Sequence, residues 1–575
     1  EDGTTTTDFD PEEIKRQISI SAALAPLEWN DHKINVIDVP GYFDFVGEML
    51  GALRVVDSAV LVVGAVSGLM VGTEKAWDYC ESHVIPRMVF INQMDREHAN
   101  FAKVLDQLKE KYGTSIAPFQ IPIMEGGEFK GFVDALGMVA KIFDGKELKE
   151  ESIPDSMMDE VEPIRTMLVE AAVETSEELM EKYFEGEEIT NDELTAAIRH
   201  GVLVGDIVPI LCGSAVNNIG VKVLLDEVVN YLPSPCDRPS FKGKNPSTGE
   251  EVRREMVASE PFSALVFKTI VDPFVGKLSI FKVFSGELDS GATIHNGNKG
   301  VNEKTAALYT LKGKKQTQVN KITAGDIGAF AKLQRTETGD TLSDLSSPII
   351  YKGIEFPEPA ISLAIVAEQE GEEDKVFAGL NRMAEEDPTF QIESNAETNQ
   401  TLISGVGEMQ LDVIASRLKS KFGAGAVYKE PRVAYRETIR KSVKAEGRHK
   451  KQSGGHGQFG HVWIDFEPLP DPDVKFEFVD KIVGGVVPRQ YIPAVEKGLL
   501  ESLPNGVLAG YPVVGLRATL YDGSYHSVDS SEMAFKMAAY LAFRKLEQAN
   551  PVLLEPIMKA EVTVNDEYMG DIIGD

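Results

Sequence analysis

The sequence predicts a multidomain chain of mixed class: an α/β domain built on a parallel sheet, then a β-barrel, then two smaller α+β domains and the start of a third. Three observations lead there. From Lys33 to about Leu232, short apolar runs alternate with stretches of helical spacing, a pattern that implies a parallel sheet with helices on both faces. After Pro233-Ser-Pro235 the texture turns to β-rich segments punctuated by glycine, as a small barrel requires. The chain has 575 residues, far beyond a single hydrophobic core, so roughly three to five domains are expected.

Taken in order, Ile34 to Asp38, Ala59 to Val63, Met88 to Asn92 and Ile207 to Leu211 read as strands. Phe43 to Arg54, Thr73 to His83 and Val221 to Leu232 have helical spacing. This first domain is assigned residues 1–235, with an acidic, helical insertion between about Gly113 and Arg199. Phe262 to Ile270, Lys277 to Ser285 and Gly325 to Leu333 are strands of the barrel, residues 236–352. Two α+β units follow at 353–433 and 434–554, and a last unit begins at 555 with an apparent strand, Lys559 to Asn565. No solenoid-length repeat or low-complexity tract is present.

The chain is 43% hydrophobic and 26% charged, which is ordinary for a globular protein. No apolar run reaches the ~18–20 residues of a membrane span. Cys80, Cys212 and Cys236 have neither paired nor metal-like spacing, so a disulfide scaffold is excluded and a reducing cytosol fits. A net charge of −33 excludes a simple nucleic-acid coat, because phosphate binding is driven by Lys and Arg. The charge is segregated, however. Arg440, Lys441, Lys444, Arg448, Lys450 and Lys451 crowd one stretch against Glu446 alone, whereas Glu147 to Glu193 is dense in acid.

Two short motifs end β-like runs: Asp38-Val-Pro-Gly41 and Asn92-Gln-Met-Asp95. In parallel sheets ligands bind at the carboxyl ends of strands, where both fall. The Asp38 carboxylate suits Mg²⁺, and the backbone N–H of Gly41 can approach a γ-phosphate because no Cβ blocks it. Alone, Asp-x-x-Gly is more often a turn. An Asp95 carboxylate can accept both donors on the Watson–Crick edge of guanine, and Asn92 can tie neighbouring loops. A third segment, Cys212-Gly-Ser-Ala215, again follows an apolar strand, and its backbone N–H groups can meet the guanine O6. Three such pieces at successive strand ends make a guanine site far more probable than three unrelated turns. The phosphate-cradling run Gly-x-x-x-x-Gly-Lys-[Ser/Thr] occurs nowhere in the sequence. The start at Glu1 rather than Met, inside a Thr-rich loop, and the end soon after an apparent strand lead to the expectation of a fragment, with that loop upstream.

These residues resemble those of the translational GTPases, and the resemblance to the elongation factor G family runs through nearly the whole chain. It includes Arg16-Gln-Ile-Ser-Ile20, like the family's first switch, and Asp38-Val-Pro-Gly-Tyr-Phe-Asp-Phe45, like its second. It continues through Gly325-Asp-Ile-Gly328, Ile403-Ser-Gly-Val-Gly-Glu-Met409, Gly454-Gly-His-Gly-Gln-Phe-Gly460 and Asp522-Gly-Ser-Tyr-His526. It implies a P-loop GTPase-type first domain, truncated here, a barrel, and ferredoxin-like and other α+β domains. It also implies a monomeric cytoplasmic factor that uses GTP/GDP and Mg²⁺, binds the ribosome and drives movement of tRNA and mRNA. Asp38, Gly41, Asn92, Gln93, Asp95, Ser214 and Ala215 would bind nucleotide, and Ser19 with Asp38 would hold Mg²⁺. Lys451, Ser453, Gly454, Gly455, His456, Gly457, Gln458 and His526 would contact ribosomal RNA or the decoding region.

Three positions depart from the family pattern. Tyr42 stands where a water-positioning His is usual, and a phenol stays protonated at neutral pH, though its hydroxyl can still orient water. Gln93 replaces a Lys whose stem packs on the base, and Ser19 replaces a Mg²⁺-ligating Thr while keeping the hydroxyl. The first two keep open a ribosome-binding paralogue with weak or uncoupled hydrolysis. A ribosome-protection factor is a further alternative, disfavoured by the glycine-rich tip. Other conspicuous residues have plainer readings: His449, His456 and His461 lack a carboxylate or Cys at ligand spacing, Cys212 is a small packer, and the runs 372–374 and 385–387 are solvated helix faces.

Overall fold

The computed structural model describes residues 5–187, 189–238, 240–272, 276–452, 457–470, 474–562, 564 and 568–574. The chain divides into two compact units, one of Glu1–Glu393 with Thr401–Glu430, the other of Ser394–Gln400 with Pro431–Asp575. In the first unit, strands Ala59–Gly64, Arg87–Asn92, Val208–Cys212 and Ile116–Pro118 lie side by side in that order, all parallel. Arg87–Asn92 is central and buried along most of its length, which its continuous apolar run requires. Helices Val46–Leu53, Val71–Ser82, Phe101–Tyr112 and Val221–Tyr231 accompany the sheet, and Asn100 caps the third of them by accepting the Lys103 N–H.

Three expectations change here. The strand ending at Asp38 does not join the parallel sheet; instead His32–Asp38 pairs antiparallel with Ala23–Trp29, residue for residue from Ala23↔Asp38 to Trp29↔His32. The cause is a two-residue turn, Asn30-Asp31, with both residues left-handed at φ 45° and 59°, the turn geometry that matches strand twist. Among the described residues this leaves Ala59–Gly64 at an edge of the parallel sheet, with Val62 60% exposed. The predicted helix 43–54 begins as a 3-10 turn, Phe43–Phe45, before Val46–Leu53. The insertion is not simply helical: a four-stranded antiparallel sheet, Gln120–Glu125, Glu128–Asp134, Val139–Phe143 and Leu148–Glu151, precedes helices Asp155–Val173, Glu177–Glu185 and Asn191–Val204. Its first hairpin turns on Gly126-Gly127, both at positive φ.

The next domain is an eight-stranded antiparallel sheet centred on Ser263–Asp272 and Gly276–Ser285. One apolar cluster gathers Ile294 and Leu342 from strands near one end with Leu308 and Phe330 from the other, so the sheet wraps around it as a barrel. The run Gly325-Asp-Ile-Gly328 acquires a role there: Asp326 accepts from Lys33 Nζ at 2.7 Å and from Asn35 Nδ2 at 3.0 Å, tying the 23–38 hairpin to the barrel. The following domain alternates strand Ile361–Ala367, helix Glu373–Glu386, strands Gln391–Asn395 and Gln400–Gly405, helix Glu408–Phe422 and strand Ala426–Lys429. Its sheet order places Ile361–Ala367 between the third and fourth strands, the ferredoxin-like arrangement.

In the second unit, Val443–Lys451, Gln458–Pro468, Leu516–Ser524 and Phe476–Asp480 form one sheet, the last pair parallel. Helix Glu532–Phe543 presses on it at two glycines: a Cβ on Gly447 would collide with the Ala538 carbonyl, and one on Gly460 with that of Ala534. Residues 559–562, expected to begin a strand, pair with no other described strand. No described helix is long and apolar enough to cross a membrane.

Candidate functional site

The carboxyl ends of three parallel strands build one set of loops. Ala65, after Ala59–Gly64, donates to the Asn92 carbonyl at 2.9 Å, and Gly213, after Val208–Cys212, donates to the Ile91 carbonyl at 3.0 Å. Asn92 Oδ1 then accepts the N–H of Ala215 at 3.0 Å, so a side chain at one strand end fixes the loop of the next. Met94 is buried as an anchor while Gln93 and Asp95 on either side are exposed. Gln93 adopts a left-handed φ of 65°. Ser214 is fully buried, exchanges both backbone bonds with Ile219 at 2.9 Å, and its Oγ accepts the Asn217 N–H. Its N–H is therefore committed to the turn through the Ile219 carbonyl. Ala215 is exposed, with its N–H shared with Asn92.

Asp38 ends its hairpin strand half-buried. Burial pushes its carboxyl above the usual range and Asp8 adds repulsion, while a hydrogen bond with the Thr7 side chain works the other way. Gly41 is exposed, and no atom lies within 4 Å of where its Cβ would be. Its carbonyl closely meets the start of helix Val71–Ser82: a Cβ on Gly72 would lie 2.9 Å from the Gly41 oxygen. Tyr42 is 49% exposed and opens the turn Phe43–Phe45. Ser19 is half-buried four residues before Ala23, the cross-strand partner of Asp38.

The segment bearing Ser19 is held by contacts that the sequence did not reveal. Buried Glu13 accepts the N–H groups of Ile20 and Ser21 at 3.0 and 2.9 Å. Helix Glu408–Phe422 runs beneath it: Arg417 pairs with Asp10 at 3.1 Å, Arg16 with Asp412 at 2.6 Å, and Ser416 donates to Glu12 at 2.6 Å. Ile20, Phe45 and Val413 form a small apolar cluster between them. The 38–45 segment docks at the same helix, where Asp44 accepts the Met409 N–H at 2.9 Å. A Cβ on Gly407 would collide with that carboxylate, which gives the second glycine of the 403–409 motif its reason. Thr7 and Gly72 had no motif of their own, and the switch-like run 38–45 gave Asp44 no partner.

Comparison with known proteins agrees along the chain. The family model for the Elongation factor Tu GTP binding domain matches residues 1–234. Those for Elongation factor G domain 2, domain III and domain IV match residues 261–345, 356–430 and 431–550. A crystal structure of a protein from Thermus thermophilus is similar at a TM-score of 0.80 and 36% identity, covering 96% of this chain and 80% of that one. The chain belongs to the elongation factor G family.

The elongation factor G domain IV of this chain carries the sequence-predicted tip. Ser453, Gly454, Gly455 and His456 lie outside the described residues. Beside them, exposed Lys451 pairs in register with exposed Gln458, and Gln458 Oε1 is 2.9 Å from His449 Nε2. Asp529 staples this hairpin to the neighbouring loop: its carboxylate accepts the Gly457 N–H at 3.0 Å and its carbonyl accepts the Phe459 N–H at 2.8 Å. His526 sits in that loop, with Nδ1 3.3 Å from Asp529 Oδ2. The two predicted RNA-contacting segments are thus held together. Among the described residues no group of His, Cys, Asp and Glu is suited to a metal ion.

Proposed function

We propose that this chain acts as an elongation factor G type GTPase that binds the ribosome and promotes movement of tRNA and mRNA, coupled to GTP hydrolysis. The observation that carries the proposal is the Asn92–Ala215 bond, which sets exposed Asp95 and Ala215 at adjacent strand ends as a guanine edge requires. In this reading Asp95 accepts from the base, Asn92 and Ala215 frame it, and Gln93 lies along it. Gly41 N–H faces the γ-phosphate, and its open Cβ side fits that approach. A half-buried Asp38 carboxyl whose proton affinity burial has raised fits a cation site, with Ser19 as partner. Bound Mg²⁺ would supply charge neutralisation on the phosphates. Tyr42 would orient the attacking water through its hydroxyl.

Segments 10–21 and 38–45 both dock on helix Glu408–Phe422, which supports nucleotide-dependent loops that signal to the third domain. The tip around Lys451, Gly457, Gln458 and His526 would meet ribosomal RNA or the decoding region, in a monomer working in the cytoplasm. The decisive experiment is Asp95→Asn in the intact protein. An amide there rejects guanine, whose ring N–H needs an acceptor, and suits xanthine, which offers a carbonyl. Translocation supported by GTP is expected to fall and to recover with xanthosine triphosphate; unchanged GTP dependence would refute the site.

A further inference from the structure

Helix Val46–Leu53 follows the Asp38–Tyr42 loop after the turn Phe43–Phe45 and lies against the barrel strand Ser263–Asp272. The approach is close: a Cβ on Gly51 would lie 2.7 Å from the Phe267 carbonyl oxygen. One turn earlier, Glu48 meets the next residue of that strand. Its two carboxylate oxygens accept from Lys268 Nζ at 2.7 and 2.5 Å, and Lys268 is only 8% exposed. The second of those oxygens also accepts the backbone N–H of Ala22 at 3.0 Å. Ala22 is buried, and its neighbour Ala23 is the ladder partner of Asp38. One carboxylate therefore joins the helix behind Gly41 and Tyr42, the exit of the segment carrying Ser19, and the barrel.

We propose that Glu48 is a positioning residue for nucleotide hydrolysis: it holds the Ser19 segment in register with the Asp38–Tyr42 loop, and Lys268 holds Glu48. The proposal rests on the GTPase reading above. As adhesive between domains the pair is a poor choice, because a buried ion pair gives little net stability over apolar side chains of similar volume. What an apolar pair cannot supply is an acceptor for the Ala22 N–H. That bond fixes where the Mg²⁺-side hydroxyl sits relative to the loop that faces the γ-phosphate, and small misplacements at such distances slow chemistry strongly.

The test separates adhesion from positioning in the intact protein. Glu48→Leu with Lys268→Met replaces the pair by apolar side chains and removes the acceptor; Glu48→Gln with Lys268→Met keeps a neutral acceptor. The apolar pair is expected to keep GDP affinity and to shift the thermal transition only by the small cost of one orphaned N–H, while ribosome-stimulated GTP turnover falls about tenfold or more. The Gln variant should recover most of that turnover. Parental turnover in the apolar pair, or equal loss in both, overturns the proposal. So does an Ala22 amide that exchanges with solvent in the unmodified protein as quickly as an exposed loop amide, whatever the variants do. A parent without stimulated turnover would refute the GTPase reading instead, and the ratio of GTP to GDP affinity then becomes the quantity compared between the two variants.

Discussion

Glu227 lies half-buried on helix Val221–Tyr231, and burial pushes its carboxyl from 4.5 up to about 8, with Asp134 and Asp226 adding repulsion and Lys141 offsetting part of it. The folded chain thus binds this proton more tightly than the unfolded chain. Its contribution is intact below the unfolded value of 4.5 and is lost as pH rises toward 8. Glu227→Gln is therefore expected to raise the melting temperature of the first unit at pH 8.5 and to give no gain at pH 4.5; a pH-independent change would mean that packing, not charge, governs the site. A different single residue governs rate. Tyr42 is 49% exposed at the start of the Phe43–Phe45 turn, so a change of side chain there meets little packing. Tyr42→His in the intact protein should increase ribosome-stimulated turnover, because imidazole can both orient and exchange a proton with water. A large loss would show that the phenol hydroxyl itself is the tuned group.

At the scale of elements, the loop 506–511 of the second unit closes around one carboxylate. Glu437 is fully buried and accepts the N–H groups of Val507, Leu508, Ala509 and Tyr511 at 2.6 to 3.0 Å. Burial alone would raise its proton affinity, but these donors more than offset it and hold the carboxyl below its usual range. A depressed value contributes stability above the unfolded pKa and loses it as pH falls through that range. Glu437→Ala orphans the donors and should cost about 3 kcal/mol at pH 7, with the difference from the parent shrinking below about pH 4; equal losses at both pH values would refute the charge argument. Such a nest was not legible beforehand, because it needs a strand and a loop 70 residues apart. Three of the four parallel strands were legible, since continuous apolar runs such as Met88 to Asn92 admit few other readings, while the three-residue strand Ile116–Pro118 was not. Ala23–Trp29 was not, for Pro26 interrupts it and only the Asn30-Asp31 turn marks the hairpin. The insertion's sheet was masked by the acidic helices after it, although Gly126-Gly127 was a usable signal. The bond of the Ser214 N–H to Ile219 was not legible, because it depends on burial, which sequence alone does not give.

Across the whole first unit, the contact between segment 10–21 and helix Glu408–Phe422 joins residues some 400 positions apart, and no periodicity could have foretold it. It is ionic at its rim and apolar at its centre. Asp10 and Arg417 have side chains only 12% and 13% exposed, and Lys421 stands 3.5 Å from the same carboxylate. Arg417, the Glu12 N–H and Lys421 together outweigh the burial that would otherwise raise the Asp10 carboxyl, which is held below its usual range. The third domain is also tied to the barrel, where Glu386 accepts the Val271 N–H at 2.6 Å, so losing the rim pair should free the segment without detaching the domain. Arg417→Ala is expected to speed amide exchange across residues 11–22 about tenfold, a local opening easier by ~1.4 kcal/mol, while exchange in helix Glu373–Glu386 stays as in the parent. Acid should mimic it: protonating Asp10 below its lowered pKa removes the same attraction, so the two chains should converge as pH falls. If the segment keeps its protection in Arg417→Ala, the apolar cluster of Ile20, Phe45 and Val413 holds it alone. The ion pairs would then set only its register on the helix.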